Sequence, residues 1–125
     1  TAGDHGTTYG GNPLVCAAVS KVFDIFEEEH ITEHVKEISV YFTEKLEEIV
    51  SKYDFLTGRR GEGLMQGLVI KDYAPSVVVS KALEAGLIII SAGTDVLRLL
   101  PPLVIQKEHI DEFAQKFCAV LDTIK

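Results

Sequence analysis

The sequence predicts an α+β domain, and three patterns support this fold class. Apolar residues recur at helical spacing between Val35 and Tyr53, with charged residues on the other face. Between Phe55 and Ile70 this period gives way to alternation interrupted by glycines, which is typical of strands. The predicted order is helix, helix, strand, strand, helix, strand, strand, helix. Because this order lacks a regular βαβ alternation, we assign the chain to the α+β class.

Two helices are predicted before the first strand. Asn12 is a preferred N-cap and Pro13 fits the first helical position, so the first helix runs from there to about Glu29. A break is expected over residues 30–32, where Thr32 can cap the next helix. The second helix carries one apolar stripe, formed by Val35, Ile38, Phe42, Leu46, Ile49 and Tyr53.

The first two predicted strands are joined by a glycine-rich connection. They cover Phe55–Arg60 and Leu64–Ile70, with Gly61–Gly63 between them. Glycines at this frequency indicate tight turns, bulges or close contact with another surface. A third helix is expected to begin near Pro75 and to end before Gly86, which fits the C′ position.

Two more strands and a helix complete the predicted fold. Residues 87–90 are expected to form a short buried strand, and residues 96–100 form another. The strand 96–100 ends at Pro101-Pro102, because proline cannot donate a hydrogen bond to a sheet. The last helix starts at Lys107, and its apolar face consists of Ile110, Phe113, Phe117, Leu121 and Ile124.

The composition argues against several classes of function. The formal net charge of −7 disfavours binding to nucleic acid, and no apolar run is long enough to span a membrane. Cys16 and Cys118 lie in helical patterns and are expected to be buried free thiols, which fits a reducing cytoplasm. His30-Ile-Thr-Glu-His34 formally matches a zinc-peptidase pattern. A helix break inside it and the lack of a third ligand favour two surface histidines, so no metal site is expected.

A short stretch, His5–Pro13, combines glycines, two hydroxyls and a helix start. The glycines permit positive φ or close approach of a ligand. Thr7 and Thr8 place hydroxyl donors beside the free N–H groups of a helix N-terminus, and this combination suits an anion such as a phosphate. A capped turn without a ligand explains the same residues, and the pattern alone leaves both interpretations open.

Arg98 is the second candidate functional residue, because it lies in an apolar run, Val96–Leu100. A guanidinium in such surroundings should meet a carboxylate, which either the protein or a ligand can provide. The alternative is a solvent-facing arginine on an edge strand, since alternation points it away from Leu97 and Leu99. The pattern leaves these two interpretations equally open.

Both segments resemble the class III aminotransferases, which are pyridoxal-phosphate (PLP) enzymes of fold type I. The first match is His5-Gly-Thr-Thr-Tyr-Gly-Gly-Asn-Pro-Leu14 followed by small residues, and the second is Leu97-Arg-Leu-Leu-Pro-Pro-Leu-Val-Ile105. Two motifs in the order of the family, one near each end, make the resemblance specific. Within the family the chain looks most like the acetylornithine and ornithine aminotransferases.

The resemblance implies a C-terminal small domain, with helices packed on a few-stranded, mainly antiparallel sheet. Residues 1–11 would be a phosphate- and substrate-binding loop from the large-domain side, and residues 12–125 the small domain with its linking helix. Thr8 matches the residue that binds the PLP phosphate across a homodimer interface, and Thr7 matches its substrate-facing neighbour. Arg98 matches the residue that binds the carboxylate of the amino acid and of the 2-oxo acid.

The resemblance also implies that this chain contains none of the catalytic residues. The lysine that binds the cofactor in the family lies upstream of the threonines, so the chain is expected to be an inactive piece of a longer, cytoplasmic enzyme. That enzyme is expected to transfer an amino group from N-acetylornithine to 2-oxoglutarate in arginine biosynthesis. One alternative is transfer from ornithine or another ω-amino acid. An alternative of another class is a non-catalytic interaction module, in which Arg98 pairs with a protein carboxylate.

Overall fold

Four helices and four strands occur in residues 3–124, which are the part of the chain that the computed structural model describes. They follow one another in the predicted order. Their bounds are α1 (Pro13–Glu28), α2 (Ile31–Lys52), β1 (Leu56–Glu62), β2 (Met65–Ile70), α3 (Pro75–Glu84), β3 (Ile90–Ala92), β4 (Val96–Leu99) and α4 (Lys107–Asp122).

The structure divides into two units, with the boundary between Thr32 and Glu33. The first unit contains α1 and the loop that precedes it. The second contains the sheet, α3, α4 and nearly all of α2. The boundary predicted between residues 11 and 12, with a loop before it and the small domain after it, stays a prediction.

The first helix starts as predicted but buries none of its residues. Asn12 adopts an extended conformation, its side-chain Oδ1 accepts a hydrogen bond from the Val15 amide at 3.1 Å, and Pro13 is the first helical residue. Because no residue of α1 is buried within this chain, the prediction of a buried Cys16 was wrong. The Cys16 thiol is free and exposed, whereas Cys118 is free and partly buried.

The break between the first two helices is shorter than predicted. His30 has a φ of 50°, a left-handed conformation that ends α1. The second helix then begins at Ile31, so Thr32 is already helical and does not act as a cap.

The sheet has four strands in the order β1-β2-β4-β3, and every neighbouring pair is antiparallel. This arrangement confirms the predicted α+β class. The inner strands β2 and β4 turn one set of side chains toward the helices, and these side chains are buried: Gln66, Leu68, Ile70, Leu97 and Leu99. We call the opposite side, which presents Arg60, Met65, Gly67, Ile90 and Arg98, the open face.

The core lies between the sheet and the helices of the second unit. The apolar stripe predicted for α2 is confirmed, with Ile38, Phe42, Leu46, Ile49 and Tyr53 all buried. The last helix and its C-terminal turn contribute Ile110, Phe117, Leu121 and Ile124, also as predicted. Val78 and Ala82 of α3 complete this core and are 0% exposed.

Strand β1 contains a bulge that changes which face its side chains reach. The register with β2 shifts between Leu56 and Gly58, which leaves Thr57 as an extra residue. An extra residue in one strand reverses the alternation of the side chains that follow it. Arg59 therefore lies on the helix side of the sheet and Arg60 on the open face.

The strand predicted at residues 87–90 was wrong in position, and its predicted burial holds only in part, because Ile89 is buried whereas Ile88 and Ile90 are exposed. The amides of Gly86 and Leu87 donate to Leu83 and Ala82, respectively, at 3.0 and 2.8 Å, which closes the end of α3 as a Schellman motif. Gly86, with a φ of 77°, takes the predicted C′ position. The strand starts only at Ile90, as an outer strand beside β4, and Ile88 before it is 88% exposed.

The contrast in burial between Leu46 and Ile88 leads to a stability prediction. Leu46→Ala should lower the free energy of unfolding of the chain by about 2–5 kcal/mol, because Leu46 is 0% exposed and its removal leaves a cavity. Ile88→Ala is the control and should change it by less than about 0.5 kcal/mol, as expected for an exposed site. Urea denaturation measures both, and equal losses would contradict the assigned burial.

Candidate functional site

The two candidate threonines lie in the loop before α1 and are exposed. Among residues 3–124, neither hydroxyl has a hydrogen-bond partner. A side chain at Gly10 would contact the methyl group of Thr7, which would have to move. The two hydroxyls are therefore available to a ligand.

Asn12 fixes the geometry of this loop relative to the helix start. Its Nδ2 donates to the Tyr9 carbonyl at 2.6 Å, while its Oδ1 accepts from the Val15 amide. Gly11 has a φ of 74°, which a residue with a side chain rarely adopts. The loop is thus held against the first turn of α1, where free N–H groups and the helix dipole favour an anion.

Arg98 lies on β4, an inner strand, and not on an edge strand as the alternative interpretation proposed. Leu97 and Leu99 on either side of it are buried, so alternation places Arg98 on the open face. Its register partners are Gly67 on β2 and Ile90 on β3. Within residues 3–124 no carboxylate lies within ion-pair distance of Arg98.

Arg98 borders a groove of about 270 Å³ on the open face. Six residues that line it are Arg60, Glu62, Met65, Gly67, Val96 and Arg98. A Cβ added at Gly67 would come within 2.9 Å of Val96 Cγ1, so the floor of the groove admits no larger residue without movement. The groove therefore offers a guanidinium above a floor of backbone.

The neighbouring arginine at position 59 has a structural role on the other side of the sheet. Its Nη1 donates to Gln66 Oε1 at 2.8 Å, and its Nη2 lies 3.2 Å from Glu47 Oε1 on α2. Gln66 is buried, and its Nε2 donates to the Gly63 carbonyl at 2.7 Å. Arg59 thus joins the hairpin to α2, whereas Arg98 has no comparable contact in the described chain.

Sequence reasoning missed two residues that shape the groove, Arg60 and Gly67. Alternation in the segment 64–70 could have placed Gly67 opposite the core, because Leu68 and Ile70 are clearly apolar. Arg60 could not be placed in this way, since the bulge at Thr57 reverses the alternation of β1 and the frequent glycines do not show at which residue a bulge occurs.

The other titratable groups of note belong to the contact between α2 and α4. The Tyr41 hydroxyl donates to Asp111 Oδ1 at 2.6 Å, and this hydrogen bond raises the pKa of Tyr41. Burial raises the pKa of Tyr53, whose hydroxyl donates to the Cys118 carbonyl at 3.1 Å. These groups stabilise the helix layer, and they do not line the groove beside Arg98.

The histidines of the zinc-like pattern have other surroundings in the structure. His34 Nε2 lies 2.8 Å from the Ile105 carbonyl, which links α2 to the loop after the double proline. In residues 3–124 no three His, Cys, Asp or Glu side chains are grouped so that they could hold a metal ion. Within the same range, no helix has both the length and the apolar character that crossing a membrane requires.

Comparison with known proteins agrees with these features. Residues 1–121 match the family model of class III aminotransferases. Acetylornithine aminotransferase of Methanocaldococcus jannaschii is 42% identical over 123 residues, which are 98% of this chain and 31% of that protein. The Aquifex aeolicus protein of the same name is 49% identical over 116 residues, which are 89% of this chain and 27% of that protein.

A solved structure with the same fold is the ornithine aminotransferase of Plasmodium yoelii. It superposes with a TM-score of 0.88 at 28% identity, over 100% of this chain and 34% of that one. The chain therefore spans less than two thirds of the length of the relatives that it matches. Because the family model covers nearly the whole sequence, the chain belongs to the class III aminotransferases.

Proposed function

We propose that this chain is the C-terminal part of a PLP-dependent acetylornithine aminotransferase of arginine biosynthesis. The enzyme transfers the ω-amino group of N-acetylornithine to 2-oxoglutarate, giving N-acetylglutamate semialdehyde and glutamate. The observation that carries the proposal is the position of Arg98, on an inner strand, facing a groove, with no carboxylate partner in the described chain. The identity of 42% to the Methanocaldococcus jannaschii protein supports the choice of substrate.

Arg98 is suited to the part of the substrate that both reactants share. N-acetylornithine carries one carboxylate, at the end of the chain away from the reacting amine. 2-Oxoglutarate carries two, one next to the reacting carbonyl and one at the far end. A guanidinium binds a carboxylate through two parallel hydrogen bonds, which fixes orientation as well as position. Arg98 would therefore hold both substrates in turn at one place.

The loop before α1 fits the phosphate group of PLP. Thr8 offers an exposed hydroxyl without a partner in the described residues, in the loop that leads into the capped N-terminus of α1. We propose that this hydroxyl donates to a phosphate oxygen in the active site of a second subunit of a homodimer, and that Thr7 faces the substrate. PLP, when bound, supplies the electron sink for amino transfer. The role of this chain is to hold the phosphate and to orient the carboxylate.

Two further properties belong to the same proposal. In the proposed homodimer, Thr8 and Arg98 serve different active sites, since Thr8 reaches the cofactor of the other subunit. We place the enzyme in the cytoplasm, although a Saccharomyces cerevisiae relative that is 39% identical is named as mitochondrial.

The second candidate within the family is an ornithine or other ω-amino acid aminotransferase. The fold shared with the Plasmodium yoelii ornithine aminotransferase supports it. Donor choice depends on the part of the protein that this chain does not contain. The ratio of kcat/KM for N-acetylornithine to that for ornithine separates the two candidates, and a ratio below one would favour ornithine.

Thr8→Ala in the full-length enzyme should weaken PLP binding by about 1.5–3 kcal/mol, the usual worth of a hydrogen bond to a charged group. Thr8→Ser is the matched control, since it keeps the hydroxyl and should preserve most of the affinity. Equilibrium dialysis of PLP measures both. Equal affinity in the alanine variant and the wild type would remove Thr8 from the phosphate site.

The isolated chain should neither transaminate nor bind PLP covalently at one defined lysine. The reason is that the cofactor-binding lysine of the family lies in a different segment. Incubation with PLP, reduction with borohydride and mass spectrometry of the peptides tests this expectation. A stoichiometric adduct at a single lysine would show that the chain carries a cofactor site of its own.

Arg98→Lys in the full-length enzyme should lower kcat/KM for N-acetylornithine and for 2-oxoglutarate together. The charge stays but the two-pronged hydrogen bonding is lost, so the loss should be on the order of 2–5 kcal/mol, as when one member of a buried charge pair is truncated. The melting temperature should stay near that of the wild type, because Arg98 pairs with no described carboxylate.

The same sample tests the interaction-module alternative. A structural Arg98 would give a lower melting temperature together with normal kinetics of the folded fraction. That combination of results would rule out the substrate role.

A further inference from the structure

Arg60 lines the same groove as Arg98, and the proposed function assigns it no role. Arginine occurs in this chain only at positions 59, 60 and 98. Arg59 is held on the helix side of the sheet by Gln66 and Glu47. The other two arginines both lie on the open face and both line the groove of about 270 Å³.

The register of the strands puts Arg60 and Arg98 in one row. Gly67 on β2 pairs with Arg60 on one side and with Arg98 on the other. Since neighbouring strands lie roughly 4.8 Å apart, the two arginine backbones are separated by about 10 Å. Side chains of this length can approach a common ligand across such a gap.

The residue between the two arginines leaves that gap open. Gly67 has no side chain, and a Cβ built there would lie 2.9 Å from Val96 Cγ1 and 3.6 Å from Arg60 Cγ. Any larger residue would therefore fill the floor between the guanidinium groups. The combination of arginine, glycine and arginine across three strands makes a cleft with a cation on each side.

The charges on this cleft are not balanced by the described chain. Neither Arg60 nor Arg98 has a carboxylate within ion-pair distance in residues 3–124, and Glu62, which lines the same groove, is not paired with either. Two like charges that face one groove repel each other, although the chain as a whole carries a net charge of −7. A bound dianion would relieve this repulsion more than a monoanion.

We propose that Arg60 is a specificity-determining residue that makes the groove of Arg98 favour dicarboxylate substrates over monocarboxylates. The inference rests on the proposed function, in which Arg98 binds a substrate carboxylate. Arg98 holds the carboxylate that both substrates share, and Arg60 adds the second positive charge that only a dicarboxylate can use. The acceptor, a dicarboxylic 2-oxo acid, therefore gains from Arg60, whereas a donor with one carboxylate does not.

The test compares two unreactive probes on the full-length holoenzyme by calorimetry. Glutarate carries two carboxylates and valerate carries one, and neither has a group that can be transaminated. Arg60→Gln should raise the Kd of glutarate by about 10-fold, the effect of losing one charge-assisted hydrogen bond, and that of valerate by less than about 3-fold. Arg60→Lys, which keeps the charge, should fall between the wild type and Arg60→Gln for glutarate.

Two control variants separate this effect from others. Lys36→Gln removes one positive charge from an exposed position on α2, away from the groove, and should leave both Kd values unchanged. Arg98→Lys should weaken both probes, because each presents a carboxylate to Arg98.

Two outcomes would overturn the role of Arg60. They are wild-type glutarate binding in Arg60→Gln and an equal loss for both probes. A lower melting temperature together with the first outcome would indicate an ion pair between Arg60 and another part of the enzyme. A wild-type enzyme that binds glutarate but does not transaminate would refute the proposed function alone, so the two failures are distinguishable.

Discussion

Burial of alternate side chains on the two inner strands is the constraint on which the rest of this structure depends. Leu68 of β2 and Leu97 and Leu99 of β4 are packed under the helices and almost fully buried. Each such leucine contributes roughly 1.5–3 kcal/mol relative to an exposed one. A slip of one residue would expose Leu97 and Leu99 and bury Arg98, so the core fixes the direction of the arginine. The candidate site is therefore a by-product of hydrophobic packing on the other face.

A small polar network also helps to fix the register of the strands. Gln66 is 1% exposed, and a buried amide without partners would be costly. Its Nε2 donates a hydrogen bond to the Gly63 carbonyl in the turn, and its Oε1 accepts one from Arg59 on the neighbouring strand. Arg59 also donates to Glu47 on α2. Turn, strand and helix are thus joined through one side chain. Arg59 Nε, which is buried without a hydrogen-bond partner, is the one place where this network is incomplete in the described chain.

The parts of the fold that follow from periodicity could be predicted from the sequence. The stripe that includes Phe42 and Leu46 has the spacing of an amphipathic helix, and Gly86 has the conformation that ends one. Residues 87–90 misled the prediction, because an apolar run does not reveal whether it is covered by other parts of the chain. Ile88 is apolar but exposed. The same limit applies to Cys16, since α1 is apolar in sequence yet buries nothing within this chain.

The candidate site was less predictable than the fold. Alternation gave the direction of Arg98, but only the strand order shows that its strand is an inner one, flanked by Gly67 and Ile90. Those partners come from pairings between distant parts of the sequence, which local patterns do not encode. The roles of Thr7 and Thr8 came from resemblance to a family, because a capped helix start has the same local pattern with or without a ligand.

The bulge at Thr57 decides which of the two adjacent arginines of β1 faces the core and which faces the groove. Leu56 is anchored in the core, and with regular alternation every second residue after it would also point inward, including Arg60. Because of the extra residue, Arg59 instead points inward, to the buried network, and Arg60 points to the groove. An insertion or deletion of one residue between Leu56 and Arg59 would exchange the directions of the two arginines without altering either side chain. The identity of the residue at position 57 is therefore less constrained than its presence, and an insertion or deletion there would act on the groove as a double substitution.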